Sequence, residues 1–220
     1  MNLKEKIVEK SLNINFDLVG ITSASPFKKA YKNLKKIKKN EQLPNFMNDN
    51  IKKITHPKMV FPGAQSIISL ALSYNISIPE EEEAYISKYT RGKDYHIVMN
   101  NKLEEIVSFL KSMNKNVKAK FFTDTGPILE REVAARAGLG WIGKNTNLIH
   151  PQLGSYIFLG EIITNLKIKP TSRNIQNKCQ NCNICIEKCK GGALDKEHPY
   201  FINENKCISY LTQKKGILKE

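Results

Sequence analysis

Residues 66–74, SIISLALSY, decide how the rest of the chain is read. The run is apolar almost throughout and reads as a strongly buried β-strand. Pro62-Gly63 turns the chain just before it. Upstream, Leu3, Ile7, Val8 and Leu12 are spaced as one face of a helix over 2–13. Leu18-Val19-Gly20-Ile21 then reads as a short buried strand. Ser25 as N-cap and Pro26 in the first turn predict a second helix, carrying Lys28, Lys29, Lys32, Lys35, Lys36, Lys38 and Lys39. The polar stretch from Asn40 to Lys58 is expected to be loop with a short helix, and Glu80 to Glu83 a solvated loop after Pro79.

Downstream, the spacing predicts a helix over 94–112, with Asp94 as N-cap and Val98, Leu103, Ile106, Val107 and Leu110 inside. Residues 117–123 read as a strand and 127–137 as a helix that Gly138 ends. Residues 155–165, SYIFLGEIITN, read as another, longer strand. This order of elements gives an α/β or α+β fold. Composition changes sharply after a polar linker at 169–178, where cysteines arrive. The boundary is placed near residue 170, with one domain over 1–170 and a small module over 171–220. No internal repeat is visible.

The chain of 220 residues, 40% hydrophobic and 25% charged, is globular in composition. No stretch approaches the roughly 18 apolar residues of a membrane span. The first residues, MNLKEKIVEKSLNINF, are polar and amphipathic, without the apolar core of a signal peptide. A cytoplasmic monomer away from membranes is expected. In that compartment thiols stay reduced, so clustered cysteines point to metal ligation over disulfides. A net charge of +14 points to a polyanionic partner, nucleic acid first, against the plainer reading of a lysine-rich composition. The lysine run has the same two readings, a solvated helix face or a phosphate-facing patch.

Four of the five cysteines fall within the motif Cys179-x-x-Cys182-x-x-Cys185-x-x-x-Cys189. Three thiolates at this spacing converge on one cubane iron–sulfur cluster, and the fourth is expected to enter a helix and turn elsewhere. A structural zinc site pairs two such knuckles across a longer loop, and only one knuckle run is present. Cys207 is the fifth cysteine, and Lys190 stands where Pro commonly follows the fourth ligand.

Asp124 follows an apolar strand and precedes Thr125-Gly126-Pro127. A carboxylate at the C-terminal end of a strand suits a cleft in an α/β sheet. Sheltered by a bulky cofactor, it would hold a proton for a leaving oxygen. The plainer reading is an N-cap for the helix at Pro127. Gly138-x-Gly140-x-x-Gly143 matches a dinucleotide fingerprint as a string, and Gly138 to Lys144 nearly spells a P-loop. Both motifs should follow a strand, whereas this one follows a helix. It reads instead as a loop whose glycines allow a flat ligand close, with Lys144, Asn145 and Thr146 as donors, or as a plain C-cap and turn. Ser155 and Tyr156, and more weakly Ser87 and Tyr89, are candidates for the same pocket. His96 reads as a satisfied surface or core residue, and Trp141 as packing beside the glycines.

Several segments resemble the epoxyqueuosine reductase family: TRGKDYH at 90–96, TDTGPILERE at 123–132, RAGLGWIGKNTNLI at 136–149, GSYIFLGEIITN at 154–165, GGAL at 191–194 and CISYLT at 207–212. The resemblance runs over nearly the whole chain, in the family's order. It implies a cobalamin-binding domain related in fold to reductive dehalogenases, followed by a ferredoxin-like module with two [4Fe-4S] clusters. It implies reduction of the epoxide of epoxyqueuosine to queuosine in tRNAs with GUN anticodons (tRNA-Tyr, -His, -Asp and -Asn). Flavodoxin or ferredoxin would supply electrons. Asp124 falls on the family's proton donor. The resemblance also assigns cobalamin contacts to Ser87, Asp124, Lys144, Asn145, Thr146, Ser155, Tyr156 and Ser209. Cys179, Cys182 and Cys185 would hold one cluster, and Cys189 and Cys207 would belong to the other. The family's later C-x2-C-x3-C-P run is missing here, so the module is expected to be incomplete and the chain short for its family. The alternative is a small iron–sulfur electron carrier.

Overall fold

The computed structural model describes residues 1–39, 50–77, 87–171 and 173–212. The acidic run at 80–83 and the first part of the polar stretch, 40–49, lie outside them. In chain order the elements are α1 (Leu3–Asn13), β1 (Leu18–Ser23), α2 (Lys28–Lys39), α3 (Ile51–Thr55), α4 (Pro57–Val60), β2 (Ser66–Ser73), α5 (Tyr95–Met113), β3 (Ala119–Phe122), α6 (Glu130–Arg136), β4 (Trp141–Ile142), β5 (Leu148–Ile149), β6 (Ile157–Thr164), α7 (Ile184–Glu187) and α8 (Ile208–Leu211).

Of the two fold classes expected, the chain adopts α+β. Four strands form one sheet in the order β1-β2-β6-β3, and every neighbouring pair is antiparallel. The SIISLALSY segment supplies β2, one of its two inner strands, buried over its first six residues. Its side chains divide by parity, as the two-residue period of a strand requires. Ile68 and Leu70 join Ile162 on one face, packing on Ile7 of α1 and on Met99, Leu103 and Ile106 of α5. Ile67 and Ala71 face the other way, toward Phe27 and Ala30 and toward Val133, Ala134 and Leu139. Helices therefore cover both faces, and this explains why β2 shows no polar alternation.

Local chemistry sets the helix ends. Asn2 and Glu5 close a reciprocal capping box on α1. Asp94 accepts from the His96 amide at the start of α5, as expected. Met99 takes a fully buried inner place on α5, whereas Val98 is only half-buried. α2 begins at Lys28, two residues later than Pro26 predicts, because the Phe27 amide is tied to the Thr55 carbonyl. α6 begins at Glu130, later than the expected 127, and ends before Gly138, which has φ of +79° as a left-handed cap requires.

Arg136 fastens α6 to the sheet. Its guanidinium donates to Thr22 Oγ1 at 2.9 Å, the Ser25 carbonyl at 2.9 Å and the Ser23 carbonyl at 2.6 Å. It also stacks over the Phe27 ring at 3.6 Å. Burial pulls its pKa down to about 10. Among the described residues no helix is long and apolar enough to cross a membrane.

Candidate active site

Glycine spacing sends the chain after α6 into a hairpin. Trp141 pairs with Ile149, and Ile142 with Leu148. No helix follows, so the segment is neither a P-loop nor a dinucleotide fingerprint. The glycines admit the chain itself. A Cβ on Gly140 would lie 2.3 Å from the Ile149 carbonyl oxygen, so the close approach expected of a flat ligand is made here by the partner strand.

The hairpin, the start of α6, the start of α5 and the inner side of α2 enclose a cleft of about 740 Å3. Leu34, Ile37, Ile128 and Ile157 give it apolar wall, and Tyr74, Tyr95, Asp124, Glu130, Arg131, Asn147 and Ser155 give it polar groups. This mixture is typical of ligand pockets. A wider hollow of about 1040 Å3 lies on the outer side of α2 and has no carboxylate among the described residues of its lining.

Asp124 sits at the mouth of the cleft, its side chain 60% exposed. It lies in a bend six residues before α6, so it is not that helix's N-cap, which is Leu129. Nor does a parallel-sheet crevice position it, because β3 and its partner β6 are antiparallel. Its backbone holds φ of +59°, a left-handed conformation that Asp tolerates better than most residues. Backbone outliers of this kind cluster at functional sites.

Three residues adjoin it. His96 Nε2 lies 3.6 Å from Asp124 Oδ2, while His96 Nδ1 lies 2.9 Å from Asp94 Oδ1. The imidazole thus bridges two carboxylates, and it is not the isolated residue its sequence context suggests. The amide and ring of His96 hold the Asp94 carboxyl below its usual value. The Tyr95 hydroxyl bonds to Asp124, and burial together with that carboxylate pushes its pKa up. The Asp124 amide donates to Glu130, whose pKa is raised to about 7 by burial and then by the Asp124 charge.

Glu130 in turn meets Glu161, a fully buried residue of β6 whose carboxyl is pushed well above its usual value, first by burial and then by Glu130. The shelter that the sequence suggests for Asp124 falls on these two residues. Arg131 braces the rim, donating to the Thr146 carbonyl at 2.8 Å and to Thr146 Oγ1 at 3.2 Å. Thr146 takes φ of +65°.

The other expected contacts are scattered. Thr146 and Ser155 line the cleft with Asp124. Lys144 turns away from it, donating to the Gln180 carbonyl and to Asn183 Oδ1, each at 2.8 Å. Asn145 accepts from the Asn147 amide at 3.2 Å and shapes the hairpin tip. Tyr156 is 43% exposed and meets Tyr74 edge-on at 5.7 Å, with Lys88 5.1 Å over its ring. Ser87 and Tyr89 lie at the exposed start of the segment before α5, and Ser209 lies on exposed α8, none of them lining the cleft.

All five cysteines are free thiols. Burial and then the neighbouring Cys179 raise the pKa of Cys185, with Cys182 adding a smaller effect. They are not drawn into ligand range: among the described residues no three Cys, His, Asp or Glu side chains form a metal-binding group. Cys185, not Cys189, lies in the short helix α7, and Cys189 follows its end. The Cys189 and Cys207 segments touch, because a Cβ on Gly191 would lie 2.3 Å from the Lys206 carbonyl oxygen.

The profile of the family described as "Epoxyqueuosine reductase QueG, DUF1730" matches residues 55–125. A Bacillus cereus protein named epoxyqueuosine reductase is 35% identical over 225 residues, covering 99% of this chain and 58% of its own length. A Cellulophaga algicola protein of the same name is 34% identical, covering 96% of this chain and 71% of its own length. The chain thus spans about 58% of the Bacillus cereus relative. The crystal structure of an epoxyqueuosine reductase with a tRNA-Tyr epoxyqueuosine-modified tRNA stem loop superimposes with a TM-score of 0.92, at 35% identity over 99% of this chain and 59% of that one. A Bacillus subtilis epoxyqueuosine reductase, solved with its catalytic aspartate loop swung out of the active site, gives a TM-score of 0.87 at 35% identity, over 99% of this chain and 59% of that one. The catabolic reductive dehalogenase NpRdhA shares the fold, with a TM-score of 0.66 at 16% identity over 96% of this chain and 30% of that one.

Proposed function

The chain belongs to the epoxyqueuosine reductase family, and from that premise we propose that it carries the reacting site for reducing epoxyqueuosine to queuosine in a tRNA anticodon loop. The observation that carries this reading is Asp124, held by Tyr95 and His96 at the mouth of an acid-lined cleft. Its φ of +59° suits a loop that presents a carboxyl to substrate. The loop motion in the Bacillus subtilis relative supports a catalytic place for such an aspartate.

The overall change takes two electrons and two protons, breaks both bonds to the epoxide oxygen, and leaves an alkene and water. Cobalamin, when bound, supplies a strongly reducing and nucleophilic cobalt centre, and the chemistry at carbon is the cofactor's. Thr146, Asn147 and Ser155 would hold it through its polar edge groups, and the apolar wall suits its flat ring. Asp124 gives its proton to the departing oxygen. Tyr95 and His96 fix the orientation of that carboxyl, and the cleft limits the access of water.

Cys179, Cys182 and Cys185 would hold the first [4Fe-4S] cluster, a reading that their spacing in the sequence supports. The Cys189 and Cys207 segments would serve the second. A low-potential flavodoxin or ferredoxin is the fitting donor. The lysine face of α2 lines the wider hollow on the outer side of that helix and would hold anticodon-loop phosphates of tRNAs with GUN anticodons, whose splayed bases can enter a pocket. A cytoplasmic monomer fits this role. An electron carrier alone has no use for a cleft lined with acids.

The test is anaerobic reconstitution of the 220-residue chain with iron, sulfide and cobalamin, followed by an epoxyqueuosine-modified stem-loop RNA and reductant. Loss of one oxygen atom from the RNA by mass spectrometry is expected. Unchanged RNA with cofactors bound overturns the proposal.

A further inference from the structure

Glu130 and Glu161 lie below Asp124 and take no part in its single proton transfer. Glu161 occupies the middle of an apolar strand, in register with Ser69 of β2 and Phe122 of β3. Ser69 Oγ donates to Glu161 Oε1 at 3.4 Å. The other oxygen, Oε2, is buried without a donor among the described residues, and so is Glu130 Oε1. Two buried carboxyls left together in this way need a proton between them, since it supplies the hydrogen bond that both lack.

The groups facing the pair are Asp124 and Tyr95 at the mouth and Arg131 on α6, with uncharged Ser69 on the sheet. Arg131 hydrogen-bonds to Thr146, across the rim. Glu130 lines the cleft together with Asp124 and also interacts with buried Glu161, so it links the core of the sheet to the cleft.

We propose that Glu130 and Glu161 are held as a buried pair of protonated carboxyls and that Glu130 passes its proton to Asp124 after Asp124 has protonated the departing oxygen. The proposal rests on the epoxide reduction above and deepens it. That reaction needs two protons, and Asp124 holds one. The second leaves the Glu130 carboxyl for the Asp124 carboxylate, leaving a Glu130 carboxylate that accepts from protonated Glu161 and from the Asp124 amide. The pair recovers its proton from solvent between turnovers. Electrons come singly from a low-potential one-electron donor.

Glu161→Gln and Glu130→Gln test the relay, with folding of each checked by thermal melting. Carbon-13 NMR of labelled glutamate carboxyls should show two side chains in the wild type that titrate far above the others. In Glu161→Gln the remaining one should move back toward the usual range. Each variant should lose about tenfold or more in kcat on the stem-loop RNA at neutral and mildly alkaline pH. KM should hold, and small carboxylic acids in the buffer should restore part of the rate. Variants whose pH profile matches that of an active wild type overturn the relay alone. A wild type that converts no RNA overturns the reductase reading and the relay with it. Ordinary titration of both glutamates overturns the protonated pair. If Glu161→Gln does not fold, Glu130→Gln at the cleft wall decides the matter by the same measurements.

Discussion

Lys144 Nζ donates to the Gln180 carbonyl at 2.8 Å, so the glycine hairpin holds the cysteine loop from 36 residues away. The same ammonium reaches Asn183 Oδ1, and Tyr200 returns an amide to the Lys144 carbonyl at 3.3 Å. The cleft and the thiols are therefore joined by polar contacts.

Lys144→Ala should loosen this joint. Charge-assisted hydrogen bonds contribute about 1.5–3 kcal/mol. The loss should appear as lower iron and sulfide content after reconstitution, with the melting temperature of the sheet domain little changed. Full iron loading with unchanged cluster stability would count against the joint.

Asp124→Asn keeps the shape and removes the acid. Turnover on the modified stem loop should fall by about 10²–10⁴-fold, the usual worth of a positioned general acid. Cobalamin absorbance on binding should be retained. An active variant would end the proton-donor role.

The buried glutamates make stability depend on pH. Glu130 is raised to about 7 and burial also pushes Glu161 well above its usual value, so the folded state holds protons that the unfolded chain has released. Stability is therefore full below the ordinary glutamate pKa and falls as pH rises through about 7. For Glu130 alone the loss is on the order of 3 kcal/mol. Urea unfolding at a series of pH values should show this decline, and Glu130→Gln should flatten it. A wild-type curve rising through that window would contradict the assignment.

Arg136→Met keeps the stem over Phe27 and removes three hydrogen bonds to β1 and the turn after it. The Ser23 and Ser25 carbonyls and the Thr22 hydroxyl lose their donor. A loss of about 2–4 kcal/mol is expected in denaturant unfolding. A loss below about 1 kcal/mol would mean that water replaces the guanidinium.

Lys28, Lys32 and Lys36 stand exposed on α2. Changing all three to Gln should weaken stem-loop binding, equally for modified and unmodified RNA. It should also flatten the salt dependence by about 0.7 in logarithmic slope for each phosphate that is no longer neutralised. An unchanged slope would place the phosphates elsewhere.

Much of the fold is legible from periodicity. The strand at 66–74, the helix from Asp94 and the glycine stop at 138 need only neighbours in sequence to act, and each stands close to where the spacing puts it. The starts of α2 and α6 depart from the spacing because a distant carbonyl and a bend decide them. The same limit governs the site. Asp124 is visible beside its Gly-Pro turn, and the cysteine spacing speaks for itself. Glu161 carries a signal, a charge in the middle of an apolar strand, that a reading for strands alone passes over.

By itself the sequence determined the main helices and strands of the first 165 residues, the spacing of the cysteines and the family, since each is written in short-range pattern. The antiparallel order of the sheet, the His96 bridge from Asp94 to Asp124, the turn of Lys144 toward the thiols and the carboxyl pair were decided by tertiary structure alone. Each joins residues that only chain folding brings within hydrogen-bonding range. Their protonation depends on burial, a property of the packed molecule and not of any segment.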